Sequence, residues 1–214
     1  MLIEKELFEK WANKYENDIY SLKDRYPFAG YFDVIEHIKT TLKTNNISSI
    51  LDLGVGTGLM LSKIIGDTMH RYKGCDFSPK MVHYAKERLS SGTLFVHDIR
   101  KPEIPTELVG QSFGLVYSAY TFHHFNTETK IEIIKTYMDL LEANGKFLLA
   151  DISFDNEAAL NQTKKEEGDR WDAEEDMGYF RKEEFMTALR QAGFHVTYNK
   201  ISYCAGIYDI SLES

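Results

Sequence analysis

The run Ile50-Leu51-Asp52-Leu53-Gly54-Val55-Gly56-Thr57-Gly58 constrains the fold more than any other stretch of the chain. Ile50, Leu51 and Leu53 read as a buried strand, and three glycines at alternate positions follow it. Glycine reaches backbone conformations closed to other residues and leaves no Cβ in the way. A strand that ends in such a turn and opens into a helix lets a ligand approach the main chain closely, with the free N–H groups of the first helical turn behind it.

The rest of the chain fits a sheet built around that element. Apolar spacing predicts strands at 49–53, 71–76, 93–97, 113–118 and 145–151, alternating with helices near 58–66, 79–89 and 127–142. Such alternation is the mark of parallel βαβ units. Ser78 before Pro79 is a helix start with proline at the first helical position. Ile3, Leu7, Phe8, Trp11, Ala12 and Tyr15 recur at helical spacing over 3–17, and a second helix is expected at 32–42. Beyond an irregular or helical insert at 155–178, a helix is predicted at 181–192, with strands near 195–204 and 206–212 joined as a hairpin through Ala205-Gly206.

The glycine spacing selects among nucleotide-like ligands. The dinucleotide fingerprint is G-x-G-x-x-G, but position 59 is Leu59. A pyrophosphate leans on positive backbone groups; Asp52 beside the loop would repel it and would suit a ligand carrying an ammonium. The second strand ends in Asp76-Phe77-Ser78, and an acid at that strand end is where a ribose diol sits in this architecture. Two carboxylate oxygens accept from two vicinal hydroxyls in charge-assisted bonds. The third strand ends in His97-Asp98-Ile99, the fourth runs on into Ser118-Ala119-Tyr120-Thr121-Phe122-His123-His124-Phe125, and Ala143-Asn144-Gly145 opens the fifth.

Taken in order over roughly residues 45 to 152, these motifs resemble those of the class I S-adenosylmethionine (SAM) methyltransferases, whose loop reads D/E-x-G-x-G-x-G. Trp11-Ala12-Asn13-Lys14-Tyr15 matches a helix that precedes the domain in small single-domain bacterial members acting in sulfur and secondary metabolism. The resemblance implies a Rossmann-like α/β fold with a seven-stranded, mostly parallel sheet, an antiparallel last strand, helices on both faces and an N-terminal helical lid. It implies one domain: lid 1–44, cofactor core 45–152, acidic insert 153–180, and C-terminal helix and hairpin 181–214. Its cofactor would be SAM, held by Tyr15, Asp52, Gly54, Gly56, Gly58, Asp76, Phe77, Asp98, Ile99 and Ser118. Asp76 would take the ribose, Asp98 the adenine amino group, Phe77 and Ile99 the ring faces, and Tyr15 the methionine end.

Methyl transfer from a sulfonium is an in-line displacement that needs orientation and a dry pocket, and a base only when the acceptor carries a proton of high pKa. His123 and His124 follow the fourth strand at the expected acceptor rim; either is a base or a structural pair, with His123 the leading catalytic candidate. Asp151 is a substrate contact or a loop cap. Nothing has firm metal-ligand spacing, so no metal is expected. The chain of 214 residues suits one domain. A net charge of −8 argues against a nucleic-acid backbone as partner. No apolar run approaches bilayer-spanning length, and Cys75 and Cys204 read as free thiols of a cytoplasmic protein. Nine acids against three bases between Asp155 and Gly178 read as a solvated face, or as a rim attracting a neutral or cationic substrate. The expected activity is SAM-dependent methylation of a small molecule at O, N or S by a monomer or homodimer, with no membrane partner. The alternative is a protein that binds SAM or S-adenosylhomocysteine without turnover. An NAD-dependent oxidoreductase is disfavoured by the glycine spacing and Asp52.

Overall fold

A computed structural model describes residues 14–65, 71–171 and 178–212. Among the described residues seven α-helices follow in chain order: α1 (Tyr15–Ser21), α2 (Tyr31–Thr44), α3 (Leu59–Ile65), α4 (Pro79–Arg88), α5 (Thr127–Met138), α6 (Glu157–Glu167) and α7 (Lys182–Gln191). The strands are β1 (Ser49–Leu53), β2 (Arg71–Asp76), β3 (Thr93–Val96), β4 (Phe113–Ala119), β5 (Leu141–Phe154), β6 (Phe180–Arg181), β7 (Phe194–Lys200) and β8 (Ala205–Leu212). The sheet order is β3-β2-β1-β4-β5-β8-β7, with β6 paired to β5 off this path. β1 to β5 are mutually parallel, whereas β8 runs antiparallel to both β5 and β7. The expected Rossmann-like sheet is present, with one two-residue strand more than the seven foreseen.

Strand residues alternate between two cores, as the two-residue period of a pleated sheet requires. Ile50, Leu115, Tyr117, Leu148 and Ala150 face one way and pack with Val34 and Ile38 of α2, Leu61 of α3 and Ala85 of α4. Leu51, Leu53, Val116, Phe147 and Leu149 face the other way, against Ile133 and Tyr137 of α5 and Phe185 and Leu189 of α7. Neighbouring β1 and β4 lie where the strand order reverses, so a crevice opens at their carboxyl ends.

Two boundaries differ most from the sequence reading. The helix expected over 127–142 stops at Met138, because Leu141 is already extended and paired to Phe113. The reversal between the last two strands lies at 201–204 instead of Ala205-Gly206. There the Ser202 hydroxyl accepts from the Cys204 N–H at 3.2 Å and donates to the Ala29 carbonyl at 2.7 Å, while Gly206 is a strand residue opposite Lys200. Within the insert, Asn156 caps α6 by accepting from the Ala159 N–H. Of the first predicted helix, residues 3–13 lie outside the described residues, as do Asp172, Glu174, Glu175 and Asp176 of the acidic insert.

Candidate functional site

The crevice is a cavity that, with its mouth, encloses about 1060 Å³, the upper end of the usual range for small-molecule sites. Its floor is the glycine loop. Gly54, Gly56 and Gly58 all have positive φ, at 97°, 53° and 75°. At Gly54 a Cβ would lie 2.3 Å from the Thr121 hydroxyl oxygen, so the loop packs against the exit of β4. At Gly56 a Cβ would meet nothing within 4 Å, because that backbone faces the open cavity. Gly58 lies outside the lining; its contact is α4, with a Cβ position 3.2 Å from Ala85. The loop is tied down by the Gly54 and Val55 N–H groups, which both donate to the Cys75 carbonyl at 2.9 Å.

Three carboxylates lie along the wall. Asp52 is 3% exposed and accepts from the Tyr117 hydroxyl. Burial pushes its carboxyl up to about 7, against the opposing pull of that hydrogen bond, and nearby Asp76 adds to the rise. Asp76 accepts the Gly56 N–H at 3.0 Å and the Ser78 N–H at 2.9 Å. Burial still raises it to about 6. Asp98 is gripped by the guanidinium of Arg100, Nε to Oδ1 at 2.8 Å and Nη2 to Oδ2 at 2.6 Å. Partial burial works against the Asp98 carboxylate, but this fork outweighs it and holds the group below the ordinary carboxylate range. Phe77 and Ile99 flank these acids in the lining.

The rest of the lining is rich in aromatic side chains. Tyr15 and Tyr31 line it from the N-terminal helices, and Tyr120 and His124 from the exit of β4, while the Phe125 ring lies beside Arg100, 6.0 Å from the guanidinium. Phe28 braces this wall from behind, edge-on to Tyr15 at 5.7 Å. Outside the cavity, Tyr26 stacks on Trp171 at 4.8 Å and shares a hydrogen bond with the Tyr179 hydroxyl, tying the chain before α2 to the flanks of the acidic insert.

The turn Phe122–His124 is held by one buried acid. Asp151 Oδ2 accepts from the N–H groups of Thr121, Phe122 and His123 at 3.2, 2.8 and 3.2 Å, while its Oδ1 lies 2.6 Å from His123 Nδ1. Asp151 is therefore the cap of this turn. His123 is buried in that pair and does not line the cavity; His124, whose ring centroid lies 3.9 Å from that of His123, does. Burial first, then the neighbouring His123 and Lys130, lowers His124 well below the ordinary imidazole range.

Of the residues singled out from the sequence, Tyr15, Asp52, Gly54, Gly56, Asp76, Phe77, Asp98 and Ile99 converge on this cavity. Gly58, Ser118 and His123 do not line it. Ser118 is buried beneath, its hydroxyl donating to the Leu53 carbonyl. Tyr117, Tyr120 and Arg100 were missed. Arg100 was discernible as a cation two residues from Asp98, whereas Tyr117 meets Asp52 only through the parallel register of β1 and β4.

Comparison with known proteins agrees with this geometry. A family model described as a methyltransferase domain matches residues 50–145. An uncharacterized methyltransferase of Anoxybacillus flavithermus is 33% identical over 154 residues, covering 72% of this chain and 69% of that protein. One from Bacillus cytotoxicus is 28% identical over 217 residues, covering 97% of each. In fold, the chain is similar to magnesium protoporphyrin IX methyltransferase of Synechocystis, solved with bound SAH: the TM-score is 0.69 at 18% identity, over 99% of this chain and 100% of that one. The glycine loop, the acids at the ends of β1, β2 and β3, the sheet order and these relatives together place the chain in the class I S-adenosylmethionine-dependent methyltransferase family.

Proposed function

We propose that this protein methylates a small molecule at oxygen, nitrogen or sulfur, using SAM. The observation that carries the reading is that one cavity joins an acidic, glycine-floored half to an aromatic half roofed by Tyr15 and Tyr31. A protein that only sensed the cofactor needs the first half and has no use for a second with its own polar groups.

The residues present suit SAM. Asp76 offers two oxygens to a ribose diol, and the bare backbone at Gly56 leaves room for a ligand to lie against it. Phe77 and Ile99 offer apolar faces to the adenine and Asp98 a polar edge, with Arg100 holding that carboxylate in place. Buried Asp52 gains a counter-charge if the cationic amino-acid end lies beside it. Tyr15 covers the same end. When bound, SAM supplies an electrophilic methyl group on a sulfonium. The chain then has to hold the acceptor in line and keep water out, which the aromatic roof does. His124, held neutral, keeps an imidazole nitrogen able to take a proton. His123 acts behind it as a positioning residue, fixed by Asp151.

The test is release of S-adenosylhomocysteine from SAM by the purified protein over a panel of small phenols, amines and thiols. Acceptor-dependent release supports the reading. Binding of SAM with no release across the panel favours the non-catalytic alternative.

A further inference from the structure

Tyr120 combines three features that rarely meet in one residue. Its φ is +52°, a left-handed conformation that bulky side chains avoid. Its side chain is buried, with 7% exposure, yet the hydroxyl has no hydrogen-bond partner among the described residues. Its ring lines the cavity. Strain of this kind persists only where the surroundings impose it. Here they do: the Tyr120 N–H donates to the Ala150 carbonyl at 2.9 Å, and the ring lies stacked on Tyr31 at 5.2 Å and tilted against Phe28 at 6.1 Å. A phenylalanine would fill the same space without stranding a buried hydroxyl, which costs about 1–3 kcal/mol. The polar atom is held at the cavity wall at the expense of stability, which is the pattern of a group that a ligand completes.

The charges around the cavity limit that ligand. Among the described lining residues the only Arg or Lys is Arg100, and Asp98 occupies it. Asp52 shares the lining, engaged by Tyr117, and the buried Asp151 lies behind Tyr120, capping the turn that follows it. A carboxylate or phosphate on the acceptor would meet no free counter-charge beside Tyr120 and would share the cavity with Asp52. A phenolic hydroxyl both donates to and accepts from a hydroxyl partner, and an aromatic ring suits a wall of Tyr15 and Tyr31.

Resting on the proposed methyltransferase activity, we infer that Tyr120 is a specificity-determining residue whose hydroxyl hydrogen-bonds the hydroxyl of an uncharged phenol-class acceptor.

The test compares wild type with Tyr120→Phe, which keeps the ring. Three probes are titrated calorimetrically into protein saturated with S-adenosylhomocysteine: 4-hydroxyacetophenone, acetophenone, which lacks the hydroxyl, and 4-hydroxybenzoate, which adds a carboxylate. Wild type should prefer 4-hydroxyacetophenone over both others, and the variant should lose about tenfold in affinity for it, the scale of one hydrogen bond, with acetophenone unaffected. The ligand-free variant should melt no lower than wild type, and its affinity for S-adenosylhomocysteine should be unchanged. A lower melting temperature makes the hydroxyl structural, and a weaker S-adenosylhomocysteine complex assigns it to the cofactor; either overturns the inference. So does equal binding of the three probes, or no binding of any. Failure of wild type to bind S-adenosylhomocysteine is a separate outcome, which removes the methyltransferase reading itself.

Discussion

Tyr117 on β4 donates its hydroxyl hydrogen to Asp52 on the adjacent β1, so the acid at the head of the glycine loop has a fixed partner on the cavity floor. That bond does not offset burial, which leaves the Asp52 carboxyl at about 7. Folding therefore favours its protonated form. The folded chain binds more protons than the unfolded one from about pH 4 to about pH 7, so this group's contribution to stability falls as pH rises through that window. Thermal melts from pH 4 to 8 should show Asp52→Asn gaining on wild type as pH rises. A constant difference would contradict the burial argument.

The same ionisation couples to ligand charge. A cation bound beside Asp52 favours the carboxylate, so SAM binding near pH 6.5 should release protons. Calorimetry in buffers of differing ionisation enthalpy measures that release. It should vanish in Asp52→Asn apart from the contribution of Asp76, whose carboxyl lies at about 6.

Asp76→Ala should weaken SAM binding by about 1.5–3 kcal/mol, the range for hydrogen bonds to charged groups. The substitution also frees the Gly56 and Ser78 N–H groups, so the loop should loosen as well. Unchanged affinity would remove the ribose assignment.

Asp151→Ala should cost about 3–5 kcal/mol in urea unfolding, because it leaves a buried histidine and three turn N–H groups without their acceptor. A loss below about 1 kcal/mol, the worth of an ordinary hydrogen bond, would show that the turn is held by packing alone.

How far the site could be read from the sequence depended on how local each signal was. Gly54, Gly56, Asp76 and Asp98 sit at strand ends, so finding the strand finds the residue. Ser78 and Pro79 marked the start of α4 for the same reason: the cap hydroxyl accepts from Met81, three residues on. What was not legible depended on direction or register. Two adjacent histidines on a short turn have ring centroids 3.9 Å apart, yet only His124 lines the cavity, because the sequence-distant Asp151 holds His123. Tyr120 gave no periodic signal, since its importance lies in a backbone angle and an empty hydrogen-bond position. Leu141 looked helical because its apolar spacing continues α5, until pairing with Phe113 draws it into β5.

The most direct measurement is parallel calorimetric titration of the purified protein with SAM, S-adenosylhomocysteine and NAD. SAM and S-adenosylhomocysteine should bind at a single site, both weakened by Asp76→Ala, and NAD should not bind. Binding of NAD in place of SAM, or SAM binding indifferent to Asp76, would contradict the assignment of this site to SAM.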